Sequence, residues 1–260
     1  GVLNIGLDPL FMFVFKMGIA GAGLATCLSQ IISFLLLLSV FLLKKTQTRL
    51  SVRNIDFSLR QIGNICSTGL PSMLRQGLTS VATIILNEQA AVFGDAAVAA
   101  FSIVSRIIFF VISLGLGIGQ GFQPVSAFNY GAGRYSRVRG AYRFTAILSQ
   151  CVISLAMFFV ILFAGNLIGL FRNDPDVIQI GTRSLYLQCF AGLALPVCIV
   201  SEMLLQSTGQ RLAASVVSAL RSGVFFIPAV LILPRIRGLA GLQEAQPAAF
   251  LLSFLPSILM

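Results

Sequence analysis

The sequence predicts an all-α, polytopic membrane protein. Three observations carry that prediction: a scarcity of charge, a succession of apolar runs of membrane-spanning length, and an alternation of basic and non-basic loops between them. Of the 260 residues, 57% are hydrophobic and only 10% charged, with a mean hydropathy of +0.95. A water-soluble domain carries about 25% charged residues, so this chain lacks the polar side chains to coat a globule in water.

A spanning helix needs about 20 mostly apolar residues. Eight segments are expected, over 1–15 (partial), 20–43, 62–93, 96–126, 142–168, 178–206, 212–234 and 239–260. The last is expected to be cut short. The first apolar run has neither a basic leader nor a small-residue cleavage site, so no signal peptide is expected. The chain starts at Gly1 and ends inside an apolar run, which reads as a piece of a longer protein.

The loops support the spans. The 44–60 loop holds Lys44, Lys45, Arg49, Arg53 and Arg60 against Asp56 alone, and 127–143 holds Arg134, Arg137, Arg139 and Arg143 with no acid. Glu88 and Asp95 sit in the 87–95 loop without a base, and 169–183 mixes both signs. Basic residues mark cytoplasmic loops. That puts 44–60, 127–143 and the Arg211 turn inside, and 16–20, 87–95, 169–183 and 235–238 outside, with Lys16, Arg235 and Arg237 as mild exceptions. The net charge of +10 is thereby explained by loop placement, and no nucleic-acid partner is expected.

Other chemistries are excluded by composition. There is no histidine, which removes the usual zinc sites and Ser-His or Cys-His catalysis. Cys27, Cys66, Cys151, Cys189 and Cys198 lie mostly in apolar runs without a CxxC, and read as small core residues rather than disulfides or metal ligands. No enzyme activity and no cofactor are expected.

An internal repeat organises the chain. Residues 18–26 read GIAGAGLAT and 238–246 read GLAGLQEAQ, so Gly18, Ala20, Gly21 and Ala25 recur as Gly238, Ala240, Gly241 and Ala245. Upstream, DPLFMFVF and IPAVLILP each place a proline nine or ten residues before the glycine. The copies open segments six apart, and six is even, so both cross the bilayer in the same direction. That is the parallel-repeat arrangement of many transporters.

Within the first copy, Asp8 is a carboxylate in an apolar run, with Asn4 one helical turn before it. Such an acid must be paired, hydrated or able to take up a proton, and in a membrane it marks a candidate functional site. Asp8-Pro9 also fits a plain helix opening, a cap followed by proline. Three further stretches stand out. They are GLPSMLRQG (69–77), GLGIGQGFQPVSAFNYGAGR (115–134) and LLQSTGQRLAA (204–214). Their glycines and prolines shape packing or let helices bend. The glycines near Gly117 follow a spanning run rather than a strand, so they do not form a nucleotide loop.

Arg75 can snorkel toward the cytoplasm, whereas Arg106 needs a partner, for which Glu88, Asp95 or a carbonyl are candidates. Arg221 also lies within or near a span. Glu202 falls near the inner end of its helix, where a solvated mouth or a second cation-responsive acid are both open. Gln76, Gln120 and Gln206 can line a polar cavity or tie helices together.

The ordered set NIGLDPLF, GIAGAGLAT, GLPSMLRQ, GIGQGFQPVSAFNYGAGR and LLQSTGQ resembles the multidrug and toxic compound extrusion (MATE) family, in its MepA-like bacterial branch. The resemblance implies twelve helices in two six-helix lobes around a central cavity, in the bacterial cytoplasmic membrane. This chain would then be a partial two-lobe protein. Residues 1–43 would close the first lobe, 44–60 would be a basic cytoplasmic linker, and 61–260 would form the second lobe. It further implies export of small organic, often cationic, compounds by antiport with H⁺ or Na⁺. The full-length protein would be a monomer in the lipid bilayer. Asn4, Asp8 and Thr26 match by type and order the residues that hold the coupling cation on the fifth and sixth helices of several members. Relatives with a second-lobe glutamate place it where Thr79 stands here, which shifts the expected cation site to the first lobe. Beyond a Na⁺ at Asp8, no metal is expected. Gln76, Thr79, Gln120, Glu202 and Gln206 are the candidate substrate-cavity residues.

Desolvation around Asp8 would favour its protonated form. Its occupancy would alter packing near Pro9, and differential affinity for two lobe arrangements would couple cation to drug. Residues 1–260 alone are not expected to transport, since half of the cavity wall would be missing. The runner-up is a two-lobe flippase for a lipid-linked saccharide or other amphiphile, which would need a cavity rich in basic residues. A non-transporting membrane fragment would make Asp8 a mere cap.

Overall fold

The computed structural model describes residues 2–43 and 58–259, and among them it is helical with no strand. The chain divides into two compact units, Gly1–Gln61 and Ile62–Met260. Of the linker expected over 44–60, residues 44–57 lie outside the described residues, as do Gly1 and Met260.

In the first unit, α1 (Val2–Pro9) runs into a π-turn, π1 (Leu10–Val14), and a corner leads to α2 (Gly18–Leu42). Proline has no N–H to offer the carbonyl one turn back, and the ladder after Pro9 loosens. Phe15 N–H reaches the Leu10 carbonyl at 3.0 Å and Met17 N–H the Phe11 carbonyl at 3.1 Å. The corner uses Lys16 (φ 54°) and Gly18 (φ 56°) in the left-handed region. Gly21, Ala25 and Ser29, four apart, form the buried stripe of α2. A Cβ on Gly21 would lie 2.9 Å from the backbone carbon and oxygen of Phe11, so only glycine permits this approach. Most of the rest of α2, including Phe34 to Leu37, is apolar and exposed. That pattern suits lipid and not water.

The second unit holds α3 (Leu59–Ala91, from the unit boundary), α4 (Asp95–Gly131), α5 (Tyr135–Leu162), α6 (Ala164–Phe171), α7 (Pro175–Gly192), α8 (Leu195–Ser207), α9 (Arg211–Ala219), a second π-turn π2 (Leu220–Val224) and α10 (Phe226–Leu259). Its main core gathers Val104 and Ile108 of α4, Ile153 and Met157 of α5, Leu185 of α7 and Ile199 of α8. A second cluster packs Ala82, Leu86 and Ala90 of α3 against Phe101, Val230 and Leu242. Small residues set the spacing: a Cβ on Gly115 would meet Ile153, and one on Gly119 would meet Met203.

The boundaries differ from expectation in informative ways. The expected 142–168 span is α5 followed by the separate short helix α6, and the 178–206 span is α7 and α8 bent by 52° at Leu193–Ala194. Gly192 before the break and Pro196 just after it are the residues that end one helix and open another. The expected long loops are tight turns: three residues separate α4 from α5, and Asp174 caps α7 by accepting from Asp176 N–H at 3.1 Å. The 235–238 connection is a sharp break at Gly238 (φ 60°, ψ −140°) inside α10. Among the described residues, three helices are long and apolar enough to cross a membrane, and a fourth if the bent pair is one span. The remaining expected spans form helices too, but α3 carries Arg60, Arg75 and Glu88, and α9–α10 is interrupted by π2 and Gly238. Cys189 and Cys198 are core residues as expected. Cys27, Cys66 and Cys151 are instead exposed, and all five are free thiols.

The repeat seen in the sequence has a conformational counterpart. Gly18 and Gly238 both take positive φ, 56° and 60°. Gly21 and Gly241, three residues later, both lie against preceding backbone, at Phe11 and at Leu233.

Candidate functional site

Asn4 sits on α1 one turn before Asp8, and Thr26 sits on α2, one residue past the buried Ala25. The Gly21 contact brings the two helices close enough for their short polar side chains to meet. Asn4 Nδ2 donates to Asp8 Oδ1 at 3.3 Å and to Thr26 Oγ1 at 3.2 Å. Asn4 and Asp8 are half-buried and Thr26 is exposed. Asp8 is therefore not a bare helix cap: the structure places it inside α1, hydrogen-bonded to a side chain, with Pro9 as the last residue of the helix. The three side chains offer a carboxylate, an amide and a hydroxyl, the oxygen donors that hard cations take.

The second unit contains a cavity of about 380 Å³. Its polar wall includes Arg75, Gln76 and Thr79 on α3, Arg106 on α4, Arg221 on π2 and Gln246 on α10, and apolar residues such as Phe109, Ile112 and Phe250 supply much of the rest. No carboxylate is among its lining residues. Thr79 donates to the Arg75 carbonyl at 2.6 Å.

Glu202, one of the expected cavity residues, lies behind this wall and is 0% exposed, so it faces neither a solvated inner mouth nor the cavity. Its Oε2 accepts from Arg221 at 2.7 Å, and its Oε1 from Ser218 at 2.6 Å and from Arg75 at 3.5 Å. Arg75 (19% exposed) does not snorkel; its guanidinium turns inward to the carboxylate. A buried charge must be paired, and here one carboxylate serves two guanidiniums. A further cation gains little beside an acid already outnumbered by positive charge. Arg106 has none of its expected partners: it is exposed in the cavity and makes no hydrogen bond or ion pair among the described residues.

Of the residues expected to line a cavity, Gln76 and Thr79 do so. Gln120 is exposed elsewhere, and Gln206 accepts from Gln123 Nε2 at 2.8 Å, tying α8 to α4. Arg221, Ser218 and Gln246 were not anticipated as cavity or Glu202 partners. Only Arg221 carried a sequence signal, an uncompensated charge in an apolar segment. Among the described residues no cluster of three metal-binding side chains occurs.

Known proteins are similar to this chain in sequence and in fold. It is 27% identical over 241 residues to the multidrug export protein MepA of Staphylococcus saprophyticus, covering 93% of this chain and 53% of the relative. Against MepA of Staphylococcus haemolyticus it is 27% identical over 240 residues, covering 92% and 52%. The chain thus spans about half the length of the curated relatives it matches. A crystal structure of a point mutant of the Vibrio cholerae MATE transporter VcmN superposes with a TM-score of 0.86 at 25% identity, over 99% of this chain and 58% of that one. A MATE crystal structure in complex with MaL6 gives 0.87 at 25% identity, over 99% and 59%. These likenesses agree with the apolar exposed surface in making this a multi-pass protein of the bacterial cell membrane. Residues 71–232, more than half of the chain, match the MatE family, and the chain accordingly belongs to that family of membrane transporters.

Proposed function

We propose that the full-length protein exports small organic, often cationic, compounds across the cell membrane by antiport with H⁺ or Na⁺, and that Asp8, Asn4 and Thr26 bind the coupling cation. The observation that carries this reading is the Asn4 amide bridging Asp8 and Thr26 across two helices. As the side chains stand, the Asn4 amide donates to the Asp8 carboxylate and to Thr26 Oγ1. A half-turn of the same amide presents its oxygen, and three oxygen donors then face one point. Protonation of Asp8 instead removes the negative charge that strengthens the Asn4 hydrogen bond. Either event acts beside Pro9 and π1, where the helix ladder is already loosened, so a local change of charge can shift the register of that segment.

Relatives named as multidrug export proteins support the export half of the reading. The test is ethidium efflux by the full-length protein in cells, with the proton and sodium gradients collapsed separately. Asp8→Asn should abolish gradient-driven efflux with membrane insertion intact; normal efflux from that variant would sink the assignment. The flippase reading is favoured by one observation, the three arginines of the second-unit cavity. It requires the absence of dye efflux from the intact protein.

A further inference from the structure

We propose that the second-unit cavity is a receptor for an oxyanion: it binds the carboxylate or phosphate head of an amphipathic molecule whose apolar body lies along the cavity wall. The balance of charge points there first. Arg75, Arg106 and Arg221 all reach the cavity and no carboxylate lines it. The buried acid behind the wall, Glu202, offsets only one of the two arginines that share it. The remaining charge is therefore positive by about two, counting Arg106, at a site where low dielectric strengthens its pull on an anion.

The hydrogen-bond inventory agrees. The Arg221 side chain is 10% exposed, and while its Nη2 is held by Glu202, its Nη1 is buried with no acceptor. A buried donor of this kind is unfavourable until something accepts from it. Arg106 keeps its full fork of donors free, and such a fork matches carboxylate and phosphate geometry. Gln246 adds a neutral polar group on the same wall. Phe109, Ile112, Leu116 and Phe250 are apolar, which suits a hydrophobic body, and about 380 Å³ lies within the usual range for small-molecule pockets.

The internal repeat supplies the contrast. In the register that aligns Asp8-Pro9 with Ile227-Pro228, the acid of the first unit becomes Ile227. In the register that aligns Gly18 with Gly238, Thr26 becomes Gln246. The second copy thus carries no acid where the first has Asp8, while the cavity of its unit is lined by three arginines.

That such a ligand is transported rests on the export reading; that it binds does not. The test is equilibrium binding to the purified full-length protein in phosphatidylcholine nanodiscs. The probes are 11-(dansylamino)undecanoic acid, its methyl ester, and dansylcadaverine as a cation with the same fluorophore. The acid should bind about tenfold or more tightly than the ester, the size of one charge-assisted hydrogen bond. Arg106→Gln should erase most of that preference, and Arg106→Lys should keep part of it, with unchanged melting temperature in both because Arg106 holds no partner. Equal binding of acid and ester, tighter binding of dansylcadaverine, or an acid preference untouched by Arg106→Gln would overturn the proposal. Adding phosphatidylglycerol to the nanodiscs separates sources: competition identifies a lipid head, and its absence a free amphiphile, and both keep the oxyanion chemistry. Selective acid binding without any gradient-driven efflux defeats the export reading alone; efflux without acid preference defeats this inference alone.

Discussion

Arg221 holds Oε2 of Glu202 at 2.7 Å while its own second terminal nitrogen has no acceptor. One carboxylate is thus shared between two arginines on separate segments, and it is the carboxylate that is indispensable. Glu202→Gln leaves Arg75 and Arg221 facing each other without a counter-charge. Removing one partner of a buried pair costs about 3–5 kcal/mol. The full-length variant in detergent should melt at clearly lower temperature, and unchanged thermal unfolding would show that Glu202 is not the anchor of these segments.

Asn4 holds Asp8 within α1 by one amide hydrogen bond and joins α1 to α2 by the other, to Thr26. Asn4→Leu should therefore depress gradient-driven ethidium efflux much as loss of Asp8 does. Thr26→Ser, which keeps the oxygen, should retain most of it, and Thr26→Val should not. Equal efflux from the serine and valine variants would remove Thr26 from the cation site.

Glycine substitutions on α2 should divide sharply. A methyl at Gly21 collides with Phe11 backbone, whereas one at Gly23 meets nothing within 4 Å. Overpacking costs typically about 1–3 kcal/mol, and replacing an unencumbered helical glycine by alanine gains up to about 1 kcal/mol. Gly21→Ala should lower the melting temperature of the full-length protein and Gly23→Ala should hold or raise it.

Gln206 accepts from Gln123 across α4 and α8. Gln206→Leu leaves a part-buried amide without its acceptor, a loss of about 1–3 kcal/mol, while the double variant with Gln123→Leu removes both groups and should recover most of that. Thermal unfolding of the two variants checks the expected non-additivity.

The class and most of the helices could be read from sequence because hydropathy and the spacing of charged loops are local properties. The Asn4–Asp8 contact was legible for the same reason: positions four apart share a helix face. Thr26 required the family resemblance, since nothing local joins it to α1. The cavity was mostly hidden. Arg75 and Glu202 are 127 positions apart, and Arg221 is presented from a π-turn that no periodicity announces. Hydropathy windows also run straight through Leu193–Ala194 and Phe163, where apolar residues continue while the backbone turns.

The corner glycines of the two copies set how motion can pass through each hairpin. Where a side chain separates two helices, a change of rotamer absorbs a small displacement. At Gly21 the neighbour is the main chain of Phe11 itself, which has no rotamer to yield. A push on π1 is therefore delivered to α2 without slack, and the same holds where Gly241 lies against Leu233. Each hairpin is thereby stiffened beside its bend, and a displacement at that point moves both arms together.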